Sequence, residues 1–540
     1  MRQIGMLAFL LVWSSAVASA GETPVKSRII SAGLFKNGLA VISRTVSVPA
    51  DGTYRLDDVP EPIHGTYWIV SDAKVVTRLT HRMVEVPADE AGPVNLQEEL
   101  AGRNVVIYFT DGGIPPASGR VAELVPKPKR YETARYGYGT AAIQPPGGGR
   151  FLILEKGKDR SYIDSSKIAY LQAEGAGAKI MRRKPVMLFE VSGLGRKNAT
   201  INISYLTRGI AWAPSYRLDL SDPKQLVLQQ KAIIKNELVD LADTRLELIS
   251  GFPNIEFQQV TSPLTLASSW QDFFNQLSSS TRSLAHVSMG NRAITQQAVR
   301  FNEPAPGSGL DLSAIPTGDR VDLYYQDIGP YDLLRGESLA VQTAMARASY
   351  NRIVEWNVPD NRGQYGSYSN REDANRDAEK FDDTAWDAIR FRNPLSFPMT
   401  TAPAVVVDGE HFNGQRLSYW VNRGEMTTLR VTKALSIRTL HTEKEVKGNR
   451  KDLYIGGDRY YRATVESELR ANNHRSQEVS MVIRRRFSGK LVRADRKPKC
   501  TLGQEGVFSV NHSNECAWNL KLKPGQDVKI KYRYTVLVRY

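Results

Sequence analysis

The 49 residues from Tyr205 to Pro253, YLTRGIAWAPSYRLDLSDPKQLVLQQKAIIKNELVDLADTRLELISGFP, alternate apolar and polar side chains in two runs separated by an Asn-Glu connector. A period of two fits a strand with one face buried. It places Leu226 and Leu228, and then Leu246 and Leu248, on one buried face of a pleated sheet. Similar runs recur along the chain, punctuated by 41 Gly and 27 Pro, as suits many short strands joined by turns. The expected fold class is all-β: several β-sandwich and small-barrel modules in series, with short helices only in insertions.

The pattern YL-x-x-G-x-x-W-x-P-x-Y-x-L, carried here by Tyr205, Gly209, Trp212, Pro214 and Tyr216, resembles the core of the mucoidy-inhibitor-like family. These are exported bacterial proteins whose core domain has no assigned function. The N-terminal stretch resembles the same family through Gly38-Leu39-Ala40, Arg44 and the turn Val48-Pro49-Ala50-Asp51-Gly52, and Asn393 to Ala404 resembles its N-x-x-x-x-P-x-x-x-A-P-A passage. Where the family shows Asn followed by a Glu-Asp-Trp triplet, this chain keeps Asn236 and Asp240 but has Val239 and Leu241 at the flanking positions. The long coiled coil of many members has no counterpart, because no heptad is sustained here. The resemblance implies an exported protein with a role in surface polysaccharide behaviour.

The first twenty residues carry Arg2, an apolar run from Met6 to Trp13 and a small-x-small exit at Ala18-Ser19-Ala20. That order reads as a secretory signal peptide, so the expected location is the periplasm or cell envelope. No later run is long and apolar enough for a transmembrane helix. Cys500 and Cys516 are the only cysteines, and an oxidising compartment favours a disulfide between them.

Past the signal segment, residues 21–100 read as an N-terminal β domain with tight turns at Asn37-Gly38 and Asp51-Gly52, where glycine would supply positive φ. Residues 101–180 have the strand spacing of a small SH3-like barrel. Residues 181–433 form the family core, interrupted by insertions at 258–320 and 360–390. In the first, Ser269 caps a helix whose Trp270, Phe273, Phe274 and Leu277 make an apolar stripe. The stripe is expected to pack on the parent sheet. In the second, Phe381, Ala385 and Ile389 suggest another helical turn. The Tyr131-Tyr136-Tyr138 loop reads as an exposed excursion. Residues 434–540 read as an immunoglobulin-like sandwich of about seven short strands, with turns at Lys447-Gly448-Asn449, Gly456-Gly457-Asp458, Ala471-Asn472-Asn473 and Lys523-Pro524-Gly525 and with Trp518, Leu520 and Leu522 facing inward.

Of the chain's net charge of +15, +14 falls in residues 421–540, which hold 26 Lys and Arg against 12 Asp and Glu. Arg484, Arg485, Arg486, Lys490 and Arg493 crowd one stretch, and Lys529, Lys531 and Arg533 alternate with Ile530, Tyr532 and Tyr534. A cationic strand face of this kind attracts polyanions. For an exported protein the expected partner is an anionic envelope polymer or an envelope protein, and not nucleic acid.

Catalytic signatures are missing from the sequence. The seven histidines lack metal-ligand spacing, and no nucleophile elbow, P-loop or dinucleotide fingerprint occurs. No metal or cofactor is expected. Asn236 and Asp240 are read as side chains that satisfy the backbone of a connector. The competing reading is a glycan or peptide hydrolase built around Asp240, Asp243 and Tyr216. Adjacent pairs such as Asp57-Asp58 and Asp382-Asp383 would point to opposite faces of a strand, not converge on one bond. An outer-membrane barrel, suggested by the terminal YRYTVLVRY, would need its alternating pattern repeated around the whole chain, which long polar insertions interrupt.

Overall fold

The structure, a computed structural model, describes residues 21–540 except 88–95, 124–150, 158, 175–178, 196–197, 252, 254, 266–268, 284–322, 361, 363–365, 367–383, 447, 449–451 and 505–509. The expected signal segment, the Tyr131-Tyr136-Tyr138 loop, Phe381, Asp382-Asp383 and most of both insertions lie outside the described residues. The fold is all-β, built from several sheets. No helix is long and apolar enough to cross a membrane among the described residues.

The chain divides into two compact units that interleave along the sequence: residues 1–29, 43–205 and 257–281 make one, and 30–42, 206–256 and 282–540 the other. Strand pairing explains why residues near 180–192 group with the N-terminal region. Strand Lys179–Ser192 runs antiparallel to Lys74–Pro87 in unbroken register from Lys179 opposite Pro87 to Ser192 opposite Lys74. Its other edge takes Gly52–Leu56.

The first unit also holds a five-strand sheet. Its members, Asp159–Asp164, Phe151–Lys156, Ala117–Val121, Asn104–Phe109 and Ile168–Ala173, stand in that order. Val105, Ile107, Val121, Leu152, Leu154 and Ile163 form its core. Asp164 caps a 3-10 turn over Ser165–Lys167, which returns the chain so that its last strand pairs with its first. Among the described residues the two outermost strands, Asp159–Asp164 and Ile168–Ala173, are not paired to each other. One helical turn, Leu96–Glu99, lies outside both insertions. It presents Gln97, which donates to Ala122 O and accepts from Ile153 N.

The capped helix of the first insertion is present as Trp270–Ser283. Ser269 Oγ accepts from Asp272 N, and the Asp272 carboxylate accepts from Ser269 in return, the reciprocal pattern of a capping box. Phe273 is buried edge-on against His64 at 4.8 Å, while Trp270 and Phe274 stay exposed. Of the apolar stripe only Phe273 is therefore core.

In the second unit, strand Ile210–Asp219 forms a hairpin with Gln225–Asn236, which pairs onward with Ser338–Val358. Leu226 and Leu228 sit in the core of this large sheet. Leu246 and Leu248 are equally buried but belong to strand Leu241–Ser250, which pairs with Tyr324–Leu333 and, in parallel, with Ser31 to Leu34. The four leucines thus serve two sheets, a correction to the single face expected, because the connector after Asn236 moves the chain from one sheet to the next.

The second insertion returns as a strand, Ala385–Arg392, and not as a helical turn. A spacing of four places Ala385 and Ile389 on one side of a helix and of a strand alike, so the pattern alone did not distinguish them. Gly38 adopts φ +84°, as an Asn-Gly turn requires. Gly52 has no positive φ. There Asp51 organises the turn differently, its carboxylate accepting from Leu194 N and Gly195 N.

Residues 434–540 contribute to two facing sheets. One contains Ile437–Glu445, Asp458–Asn473, Asp527–Arg539 and Lys490–Ala494, with Asp452–Ile455 at its side. In the other, Val479–Ser488 pairs with Ser513–Leu522 and, in parallel, with residues 354–358 of the long strand Ser338–Val358. One core joins both sheets and includes Trp518, Leu520 and Leu522 together with Val354, Trp356 and Val358. The strands are longer than expected. Asn472 and Asn473 end a strand instead of making a turn, and buried Asn473 donates to Gln477 O, Leu522 O and Lys523 O. Gly456, Gly457 and Gly525 do adopt positive φ. Lys447 and Asn449 lie outside the described residues. Cys500 and Cys516 face each other across paired strands and are joined in a disulfide.

Candidate functional site

Strand alternation splits the basic run into residues that face outward and residues that do not. Arg485 points inward and is 1% exposed. Its Nε donates to Tyr532 Oη at 2.7 Å, and its terminal nitrogens reach Glu443 at 2.7 Å and the Pro359 carbonyl. Arg484, on the opposite face, is mostly buried and ion-paired with Glu355. Arg486 pairs with Glu515 at 2.7 Å. Arg484 and Arg485 are thus corrected from surface polyanion contacts to internally paired charges, because a charge run in sequence does not reveal the acids that neighbouring strands supply.

The other candidates converge on the outer face of the five-strand sheet. In Asp527–Arg539, Ile530, Tyr532 and Tyr534 are buried while Lys529, Lys531 and Arg533 face out. Register sets Lys529 opposite Arg470, Lys531 opposite Glu468 and Arg533 opposite Glu466. On the far side Arg493 lies opposite Arg533 and Lys490 opposite Thr535. The same face gains Arg438, Lys444 and Arg462, cations that precede the basic run and were missed in the sequence. Their signal was strand parity: Arg438 is opposite Asn472, and Lys444 opposite Glu466.

Among the described residues, three acids form ion pairs with four of these nine cations. Asp527 pairs with Arg470 at 2.6 Å, Glu468 with Lys531 at 3.8 Å, and Glu466 with both Arg533 at 3.2 Å and Arg493 at 3.6 Å. The Arg470 hydrogen bond holds the Asp527 carboxyl below its ordinary range. Lys490, Lys529, Arg438, Lys444 and Arg462 have no acidic partner within 4 Å among the described residues. The face is strongly cationic, with its few carboxylates interleaved.

The motif residues do structural work. In the first unit, Arg44 is 2% exposed and donates to Tyr205 Oη at 2.5 Å and to Asp58 at 2.9 Å. Burial pushes the Tyr205 phenol up to about 12. In the second unit, Trp212 Nε1 donates to Ile249 O, and the buried Tyr216 phenol accepts from Thr400 N at 2.8 Å. Pro214 is buried within its strand, opposite Ala232. Gly209 has φ +112°, and a Cβ there would stand 3.3 Å from Leu238 Cα. Fully buried Asn236 donates to Val239 O and Leu333 O and accepts from Leu238 N. Asp240 accepts from Arg335 N at 2.8 Å.

Those contacts leave the alternative hydrolytic site unassembled. Asp240 is exposed at a strand connector, and the Asp243 backbone N–H is bound to Asp332. Tyr216 is enclosed elsewhere in the unit. Asp57 pairs with Arg55 and Asp58 with Arg44. A closer imitation of a catalytic triad occurs inside the terminal core, where His441 Nε2 lies 3.0 Å from Ser467 Oγ and 3.6 Å from Glu443. A triad requires the base to use one ring nitrogen for the nucleophile and the other for the acid. Here one nitrogen faces both, and Ser467 is buried and donates to Thr442 O. No group of three His, Cys, Asp or Glu side chains gathers as metal ligands among the described residues. The first unit has an open cleft of about 510 Å³ between Ser47, Asp72, Asn198 and Thr200, with Asp72 as the sole carboxylate in its lining.

One further group is electrostatically unusual. Lys36 Nζ is largely buried, donating to Thr400 Oγ1 at 2.8 Å and Thr401 O at 3.1 Å. Burial brings its pKa down to about 8.

In comparisons with known proteins, the chain matches no protein-family model and no curated protein.

Proposed function

We propose that this protein is an exported, non-enzymatic envelope protein that binds an acidic polysaccharide through the outer face of its terminal five-strand sheet. The observation that carries the reading is nine cations on one sheet face, five of them without an acidic partner within 4 Å among the described residues. An extended anionic chain suits such a face because strand spacing repeats the charges across it at intervals of about 5 Å. Export and the resemblance to the mucoidy-inhibitor-like family support an envelope polymer over nucleic acid.

Retention of the full chain on immobilised acidic polysaccharide tests this. Binding carried by exposed charge weakens steeply with salt. Lys490→Gln/Lys529→Gln should elute at lower salt than the parent, with an unchanged Tm. Retention that ignores both salt and these substitutions would refute the proposal.

A further inference from the structure

A separate cluster of cations occupies the outer side of the other sheet of the terminal core. Register places Glu355 between Trp386 and Val482 on neighbouring strands, Trp386 opposite Lys433, Ala388 opposite Arg430, and Arg484 opposite Asn357. Arg430 Nε reaches one oxygen of Glu355 at 2.9 Å, and Arg484 reaches the other. Arg390, on the Trp386 strand, donates to Thr428 Oγ1. Burial lowers the Arg390 guanidinium, and the nearby positive charge of Arg484 lowers it further. Two guanidiniums therefore share one carboxylate in a half-buried setting, and the Arg390 guanidinium stands near the charge of Arg484.

Two donors in the cluster are buried and have no hydrogen-bond partner among the described residues: Arg484 Nε and the indole Nε1 of Trp386. Leaving such donors unpaired costs free energy, and packing like charges together adds to the cost. A bound oxyanion would relieve both. Guanidinium forks match the tetrahedral oxygens of a phosphate or sulfate group and can bind them in pairs. The Trp386 ring, with Arg416 at 5.0 Å and Arg430 at 5.9 Å from its centroid, fixes the arginines in place.

We propose that Arg390, Arg430 and Arg484, with Trp386, form a discrete binding site for one phosphate or sulfate group, free in solution or carried as an ester on a sugar. The site lies on a different sheet from the polymer-binding face.

The test titrates the full chain with inorganic phosphate against sodium chloride at matched ionic strength, following Tm and tryptophan fluorescence. Expected are a saturable rise in Tm and a fluorescence change with phosphate that chloride does not reproduce. Arg390→Gln should abolish both while leaving retention on acidic polysaccharide intact. Lys490→Gln/Lys529→Gln should elute from the polysaccharide at lower salt yet keep the phosphate response, so the two readings fail separately. If Arg390→Gln does not fold, Trp386→Phe serves instead and should remove the fluorescence change. A sugar phosphate that binds more tightly than free phosphate identifies the ester as the ligand, and equal affinity identifies the free anion. No response to phosphate beyond that of chloride, or an undiminished response in the folded variant, overturns the site.

Discussion

Arg485 and Glu443 form a 2.7 Å ion pair inside the terminal core, with side chains only 1% and 9% exposed. Tyr534 Oη donates to the same Glu443 oxygen at 2.9 Å. Burial alone would raise the Glu443 carboxyl, but the nearby His441 ring and the charge and hydrogen bond of Arg485 outweigh it and hold the group well below the ordinary carboxylate range.

Glu443→Gln removes the charge that compensates Arg485. Breaking one side of a buried pair costs about 3–5 kcal/mol, so urea denaturation should show a loss of that size. Because the folded pKa is depressed, the stability contributed by Glu443 is fully present above its unfolded value, near 4.5, and declines as pH falls below it. The variant should lack this component of acid sensitivity. Equal acid denaturation profiles for parent and variant would contradict the assignment.

Lys36 has the opposite pH signature. Its pKa falls from 10.5 to about 8 on folding, so between those values the unfolded chain holds more protons and stability should rise with pH. The full effect is about 3 kcal/mol. Lys36→Met should flatten that rise, visible as a smaller difference in unfolding free energy between pH 7 and pH 10. A variant that keeps the parent slope would show that Lys36 remains solvated.

Asn236 closes the connector that passes the chain between sheets. Asn236→Ala strands two carbonyls and one N–H in the interior and should cost roughly 2–4 kcal/mol. Asp240→Ala, at an exposed position, should cost no more than about 1 kcal/mol. Thermal melts of the pair rank them, and the reverse order would refute the structural account of the motif.

Reduction of Cys500–Cys516 should destabilise the terminal core by about 3 kcal/mol, the chain-entropy value for a loop of this length. Denaturation with and without reductant measures it, with Cys500→Ser/Cys516→Ser as the matching variant.

Alternation made the strand content legible, and the disulfide joins the two cysteines of the sequence. Contacts between distant strands were not legible. Nothing local in Arg484 or Arg485 reveals Glu355 or Glu443, which lie 129 and 42 positions away. Leu246 and Leu248 carry the same pattern as Leu226 and Leu228, and only the bonds of Asn236 show that the chain has changed sheets. The cationic face was half visible: Lys529, Lys531 and Arg533 announced it by alternation, whereas Arg438 and Lys444 joined it only through register.

The strand Ser338–Val358 is 21 residues long, roughly 70 Å of extended chain. Tyr350 belongs to the core formed around Leu226 and Leu228, and Val354, Trp356 and Val358 to the core behind the cationic face. One covalent spar therefore carries both, and neither core can melt without loosening the backbone that the other is built on. Heat should take the two apart in a single calorimetric transition, and a ligand that clamps one end should protect amides at the other from exchange.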